Sequence, residues 1–385
     1  MRIGIMADGY IDANGTIDYL KILLRGLYLR NDVDVYMFFP SENQRKFRHY
    51  PLFVRKVYEL IFPYQRNSNI DSFSEFKEII IVEYKARELK KKIKECGVDL
   101  IFPSMMDLGG NMPVKWAYEF FDCQHKYYPQ YFKKYVRIGR DVFFKSCAKH
   151  ADATFVNSQN TKKDFCKFYG MPLEKVFVLP FCATLGYDKI GDDLTGIPEK
   201  YGINKPFFLI SNQFYAHKRH DVAFQALREV REAGHDVMIV CTGLMKEAPV
   251  LAETLKKMCA DLGLADDIKF LGVIPKKDQI ELMKNAISVI QPSEFEGDCS
   301  GQIIDAITIG QRVIASDLDV IKEVSFYESI KFFKLNDVSE LADRMIDYIK
   351  TPFKRPSFDE LIQKEEAYRK KFSDAVYTII DSLKE

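Results

Sequence analysis

Residues 291–305 read Gln291-Pro292-Ser293-Glu294-Phe295-Glu296-Gly297-Asp298-Cys299-Ser300-Gly301-Gln302-Ile303-Ile304-Asp305. An apolar run, Ala286-Ile287-Ser288-Val289-Ile290, precedes them, and Ile303, Ile304 and Ile307 follow at helical spacing. The stretch reads as a buried strand, a glycine-bearing loop and a helix start, with Ser300 where an N-cap belongs. Backbone N–H groups and the helix dipole make such a junction an anion site. Glu294 and Glu296 in the same loop repel phosphate but suit hydroxyl groups, which donate hydrogen bonds to carboxylates. A site for phosphate and hydroxyls together points to a sugar nucleotide.

Outward from this loop, short β-branched runs alternate with longer amphipathic ones. Strand patterns lie at 2–7, 33–39, 99–103, 154–157 and 176–179, then at 207–211, 237–242, 268–271, 288–291 and 312–316. Helical patterns lie between them, such as 16–30, 84–96, 161–169, 222–233, 252–262 and 277–284. This alternation predicts α/β architecture, with parallel sheets covered by helices on both faces. Periodicity fails over 183–198, which is rich in turn formers. The expectation is two doubly wound, Rossmann-like domains of about five strands each, spanning 1–183 and 184–356 and facing a cleft. The long helical pattern in 357–385 is expected to return to the first domain.

Composition narrows the class. A net charge of +1 gives no global field to recruit nucleic acid. The eight cysteines form no CxxC pair and have no ligand-like spacing with histidine, so reduced thiols are expected rather than a disulfide frame or a metal site. Asp8 and Asp12 interrupt the apolar run that a signal peptide needs, and no 18-residue apolar stretch is present. These features lead to the expectation of a cytoplasmic protein without a metal or cofactor.

A second motif follows the 207–211 run: Asn212-Gln213-Phe214-Tyr215-Ala216-His217-Lys218-Arg219-His220. Cations and imidazoles between a parallel strand and a helix fit a polyphosphate, with Lys218 as the point charge and His217 as a donor. Four segments now stand in order: Asn212-Gln213-Phe214 with His217, Lys218 and His220; Phe270-Leu271-Gly272-Val273-Ile274-Pro275; Pro292-Ser293 with Glu296-Gly297; and Val313-Ile314-Ala315-Ser316-Asp317. This order and spacing resembles the GT-B glycosyltransferases of family 4, most closely over 205–325.

The resemblance implies a GT-B fold and a retaining, metal-independent glycosyl transfer from a nucleoside-diphosphate sugar to a hydroxyl acceptor. It implies that the second domain holds the donor through a Glu-x7-Glu pair. Glu296 matches the first acid, on the sugar. The second falls on Asp305, a shorter acid one residue further along, on the ribose side. Asn212-Gln213 stands where the family carries Gly-Arg, which leaves Lys218 a larger share of the phosphate charge. Ile274 matches the position whose backbone meets the base. Gly297, Asp298, Cys299, Ser300 and Gly301 match the donor-side loop. Gly15 matches the glycine loop before the first helix, and His125, in Asp122-Cys123-Gln124-His125, matches a histidine beside the donor sugar.

Two further patterns need a reading. Asp317-Leu318-Asp319 spells the DxD metal motif of another glycosyltransferase fold, but after a parallel strand it is expected to serve a turn and a helix cap. Residues 45–66 and 126–149 interleave lysines and arginines with aromatics, which suits an anionic acceptor or a membrane interface. The expected partners are a sugar nucleotide and a saccharide or lipid-linked saccharide acceptor in polysaccharide or glycolipid synthesis. Peripheral contact at the inner membrane face is expected, and nucleic acid is not. The alternatives are a sugar-nucleotide epimerase of the same fold and a weakly active sugar-nucleotide-binding protein.

Overall fold

The computed structural model describes residues 1–12, 14–30, 32–42, 65–180, 195–245, 248–297, 300–323 and 330–384. They divide into two compact units, Met1–Cys182 with Arg369–Glu385, and Ala183–Tyr368.

The first unit contains β1 (Arg2–Met6), β2 (Asp34–Pro40), β3 (Ile80–Tyr84), β4 (Leu100–Ser104), β5 (Lys115–Glu119), β6 (Ala153–Val156) and β7 (Val176–Val178). Among the described residues they form a seven-stranded parallel sheet in the order β3-β2-β1-β4-β5-β6-β7. Helices on both faces make interior strands continuously apolar, and β4 is buried along its whole length. The order reverses between β1 and β4, where an open parallel sheet forms its ligand crevice. Gly9 lies in the loop after β1 at φ 90°, and a Cβ there would stand 2.9 Å from the Met105 Cβ in the loop after β4. The two loops therefore approach through a residue that has no side chain and tolerates a left-handed backbone.

The second unit contains β8 (Phe207–Ser211), β9 (Met238–Thr242), β10 (Ile268–Gly272), β11 (Val289–Gln291), β12 (Val313–Ser316) and β13 (Ile330–Phe333). Its parallel sheet has the order β10-β9-β8-β11-β12-β13. Strand alternation divides the core in two. Phe208 and Ile210 pack with Phe224 and Leu227, while Phe207 and Leu209 pack with Ile303 and Ile309 on the other face. Each such fully buried side chain contributes roughly 1.5–3 kcal/mol. The order reverses between β8 and β11, which pair at Val289 and Leu209.

The helix Phe358–Lys384 begins in the second unit, where Leu361 joins the core, and ends in the first. There Ser373 Oγ donates to the Gly26 carbonyl at 2.8 Å and Tyr377 OH to the Leu27 carbonyl at 2.7 Å. A Cβ on Gly26 would lie 2.9 Å from the Phe372 ring.

The sequence reading of about five strands per unit is too low. β3 and β13 are edge strands with mixed exposure, and β5 opens on Lys115 and closes on Glu119, so their apolar signal is weak. The helix expected over 84–96 occupies only Leu89–Cys96, because Tyr84 completes β3. Most of 45–66 lies outside the described residues. Residues 134–150 of the other basic-aromatic stretch form the helix Lys134–His150.

Candidate functional site

The loops after β8 and β11 meet at the switch point of the second sheet. The loop after β8 runs from Asn212 through the 3-10 turn Ala216–Lys218. Gly243, at the exit of β9, has φ 139°, and a Cβ there would fall 2.0 Å from the Asn212 carbonyl oxygen. The backbone of Asn212 is thus pressed against a residue that must be glycine. On the other side, the Glu294 N–H donates to the His217 carbonyl at 2.9 Å, tying the two loops together.

This brings Lys218 onto Glu296. Lys218 Nζ donates to both carboxylate oxygens, and the two side chains are only 14% and 7% exposed. Gln291, fully buried at the end of β11, supports the pair. Its Nε2 donates to Glu296 Oε1 at 2.5 Å and to Ser293 Oγ at 2.7 Å. Its Oε1 accepts from Asn212 Nδ2 at 3.0 Å and from Gln302 Nε2. Gln302 Oε1 in turn accepts the Ser211 N–H at 2.6 Å. Ser211 Oγ lies 2.7 Å from Thr242 Oγ1 and accepts from Gln279. One connected polar network therefore fixes the carboxyl ends of β8, β9 and β11, and such networks rigidify a site when their members are satisfied.

Arg219 holds a left-handed backbone at φ 49° and pairs with Asp221 at 2.9 Å and with Glu294 at 3.4 Å. This commits Glu294 to the loop's own structure. The His217 ring stacks on Tyr215, with centroids 5.7 Å apart. His220 is a core group: its ring stacks on Phe214 at 4.5 Å, and neither ring nitrogen has a hydrogen-bond partner. Burial depresses its pKa to about 3, and nearby Lys218 adds to the shift. Its imidazole is neutral and enclosed, so it is not available to a ligand at this loop.

The remaining positions expected on the donor side divide in two. Gln213 is exposed. Ile274 packs its side chain against the core beyond β10. Gly297 is half-buried, and Gly301 opens the helix Gly301–Thr308 with free space around its Cβ direction. Asp298 and Cys299 lie outside the described residues. Ser300 occupies the N-cap position at φ 69°, but its side chain makes no capping bond, which corrects the expected cap. Asp305 is 3% exposed and accepts from Lys276 Nζ at the start of the helix Lys276–Asn285. Asp317 and Asp319 both pair with Lys322, and the N-cap of the helix Asp319–Lys322 is Leu318 rather than either acid.

In the first unit, Gly15 lies in the first turn of the helix Asn14–Leu27, exposed and with free space around its Cβ direction. His125 stands in a short helix after β5 and is 2% exposed. Its Nε2 lies 3.0 Å from Asp141 Oδ1 and 3.2 Å from the Tyr169 hydroxyl. Burial lowers its pKa, opposed by the bond to Asp141 and reinforced by nearby Arg140. A neutral ring that donates Nε2–H to Asp141 leaves Nδ1 as an acceptor, and Nδ1 has no partner. Gln291, Gln302, Lys276 and Gln279 went unread in the sequence. The available signal was a glutamine ending an apolar strand and another one residue inside the next helix.

The two sheets and their order define the fold of the GT-B glycosyltransferases. Residues 195–365, within the second unit, match the model of the family described as Glycosyl transferases group 1. Solved structures are similar along nearly the whole chain. A glycosyltransferase from Rickettsia africae ESF-5 is 14% identical with a TM-score of 0.64, over 99% of this chain and 94% of that one. Anabaena Alr3699/HepE, solved in complex with UDP-glucose, is 14% identical with a TM-score of 0.67, over 100% and 98%. Sucrose-phosphate synthase (tll1590) from Thermosynechococcus elongatus is 15% identical with a TM-score of 0.62, over 100% and 94%. No curated protein matches the chain. The family match over 195–365 supports a glycosyl-transfer role, and the solved structures share the fold.

Proposed function

We propose that the chain is a retaining, metal-independent glycosyltransferase of family 4 that moves a hexose from a nucleoside-diphosphate sugar to a hydroxyl acceptor. The observation that carries this reading is the Lys218–Glu296 pair at the switch point of the unit matched by the family model. In the reaction the acceptor oxygen bonds to the anomeric carbon and the bond from that carbon to the phosphate oxygen breaks. The electron pair leaves with the diphosphate, and the acceptor's proton passes to it. Lys218 and the N–H groups opening Gly301–Thr308 meet the charge that builds on the leaving group. Glu296 then accepts hydroxyls of the sugar. Asp305, held by Lys276, serves the ribose side. Metal independence draws support from Asp317 and Asp319, whose carboxylates are both engaged by Lys322.

The acceptor side favours a surface polysaccharide or glycolipid. Among the described residues no helix is long and apolar enough to cross a membrane. The helix Lys134–His150, however, exposes Tyr135 at 70%, Ile138 at 54% and Val142 at 64%. Exposed Lys134, Lys145 and Lys149 fall with them inside an arc of about 100° at 100° per residue. The helix's one acid, Asp141, is tied to His125 and Lys126. A basic, apolar stripe of this kind suits the anionic face of a membrane from the cytoplasmic side.

The test is incubation with UDP-glucose, UDP-galactose and GDP-mannose, with and without EDTA, followed by NMR of the products. Release of nucleoside diphosphate with a transferred sugar of unchanged anomeric configuration, at the same rate in EDTA, is expected. Epimer formation without transfer, binding without turnover, or loss of transfer in EDTA that metal restores would each overturn the corresponding part.

A further inference from the structure

At the opposite end of the second sheet from the Lys218–Glu296 pair lies a cavity of about 610 Å³. It opens at the amino ends of β12 and β13, and these strands separate it from the loops at their carboxyl ends by roughly 13 Å of extended chain. Its lining includes Arg312, Lys331, Lys354 and Lys364, together with the rings of Tyr348 and Phe353, and no carboxylate. The volume is in the range of small-molecule sites.

The cations are arranged around the rings. The Arg312 guanidinium sits 4.4 Å from the Tyr348 ring centre and 4.6 Å from that of Phe353. Lys331 Nζ lies 4.6 Å from the same Tyr348 ring. Arg312 is 8% exposed, and its hydrogen bonds go to the carbonyls of Ile287, Tyr348 and Thr351. It has no carboxylate partner among the described residues, although a buried cation is ordinarily paired. Burial lowers the Arg312 pKa. Burial, then Arg344 and Arg312, lowers that of Lys331. The neighbouring acids are committed: Asp347 to Lys331, Glu340 to Arg344, and Glu360 to the backbone and hydroxyl of Ser357. Lys354 and Lys364 form no ion pair among the described residues; the bonds to Ser357 lower the pKa of Glu360, both lysines add to that, and with Arg312 they leave the mouth positive.

The geometry points to a second ligand site here, for a small molecule that joins a phosphate to a flat apolar ring. The phosphate would meet Lys354 and Lys364 under the field of Arg312, and the ring would lie against Phe353. This site is independent of the donor site, since its residues leave the sheet at the other end. It also borders 351–357, the segment leading into the helix shared by the two units.

The experiment is calorimetric titration of the full chain with 4-methylumbelliferyl phosphate, in parallel with 4-methylumbelliferone and inorganic phosphate. The aryl phosphate is expected to bind at a single site and more tightly than either half. Saturating UDP should not displace it. Lys354→Glu with Lys364→Glu should weaken it about tenfold or more, since both lysines are exposed and the exchange reverses two charges. Phe353→Ala, at a ring 40% exposed, should weaken the aryl phosphate but leave inorganic phosphate unchanged. Circular dichroism melting confirms that each variant is folded. Absence of binding, displacement by UDP, or unchanged affinity in the double-lysine variant overturns the site. Inorganic phosphate binding as tightly as the aryl phosphate overturns its aromatic half.

Discussion

Lys218 Nζ stands 2.7 Å and 2.9 Å from the two carboxylate oxygens of Glu296, a two-point ion pair closed on itself at the switch point of the second sheet. The lysine cannot keep both bonds and also hold a diphosphate. Under the proposed reaction the phosphate takes Lys218 and leaves the carboxylate free for sugar hydroxyls, so binding of one half of the donor prepares the other.

Lys218→Ala is predicted to raise the barrier to transfer by about 2–4 kcal/mol, lowering kcat by roughly one and a half to three orders of magnitude. Steady-state kinetics of the folded variant check this. Turnover at the wild-type rate would remove Lys218 from the leaving group.

Glu296→Gln is predicted to reduce turnover far more than affinity for the bare nucleoside diphosphate. The amide leaves Lys218 free for phosphate but cannot accept sugar hydroxyls in the same way. Calorimetry with UDP alone decides, and a large loss of UDP affinity would move Glu296 to the nucleotide.

Gln291→Leu is predicted to destabilise the fold by about 1–3 kcal/mol, because it strands buried donors and acceptors on Asn212, Gln302 and Glu296. Urea unfolding measures the change. A loss below about 0.5 kcal/mol, the range of ordinary surface substitutions, would mean that the network is not structural.

His220 gives a pH prediction. Its folded pKa of about 3 lies below the unfolded reference of about 6.5. The unfolded chain therefore binds the extra proton between those values, and stability rises with pH across that window. His220's contribution is complete above pH about 6.5 and is lost as pH falls toward about 3. His220→Phe keeps the ring on Phe214 and should flatten the melting temperature between pH 4 and 6, checked by calorimetry (about 1.4 kcal/mol per pH unit removed at most). An unchanged slope would place the titration elsewhere.

Ile138→Asp is predicted to weaken co-sedimentation with phosphatidylglycerol vesicles at low salt, by putting an acid in the centre of the exposed stripe on Lys134–His150. Each neighbouring lysine contributes roughly 1 kcal/mol to an anionic surface. Equal binding by wild type and variant, or none by either, would favour a soluble acceptor.

Legibility followed burial. The switch-point strands β8 and β11 are buried on both faces, so their apolar runs and the loops that follow them were readable, and Lys218 and Glu296 with them. β3 and β13 lie at sheet edges, where solvent permits polar residues and the strand signal fades. The helix Lys134–His150 hid because apolar residues occupy its solvent side, which defeats the expectation that an apolar stripe marks the core. The support from Gln291 and Gln302 hid for another reason: side-chain amides eleven residues apart meet only after the strand, loop and helix have folded. His220 read as a phosphate candidate from its neighbours, and only packing on Phe214 shows it to be an interior ring.

The helix Phe358–Lys384 has a consequence for the order of events on the ribosome. The piece of the first unit that caps Gly26 and Leu27 is synthesised after every residue of the second. While the second unit is emerging, the helix Asn14–Leu27 waits without Phe372, Ser373 and Tyr377 against it. The nascent first unit thus presents an unfinished apolar face until the second unit has been synthesised. Its completion waits on the second unit, so the finishing of one core is tied to the synthesis of the other.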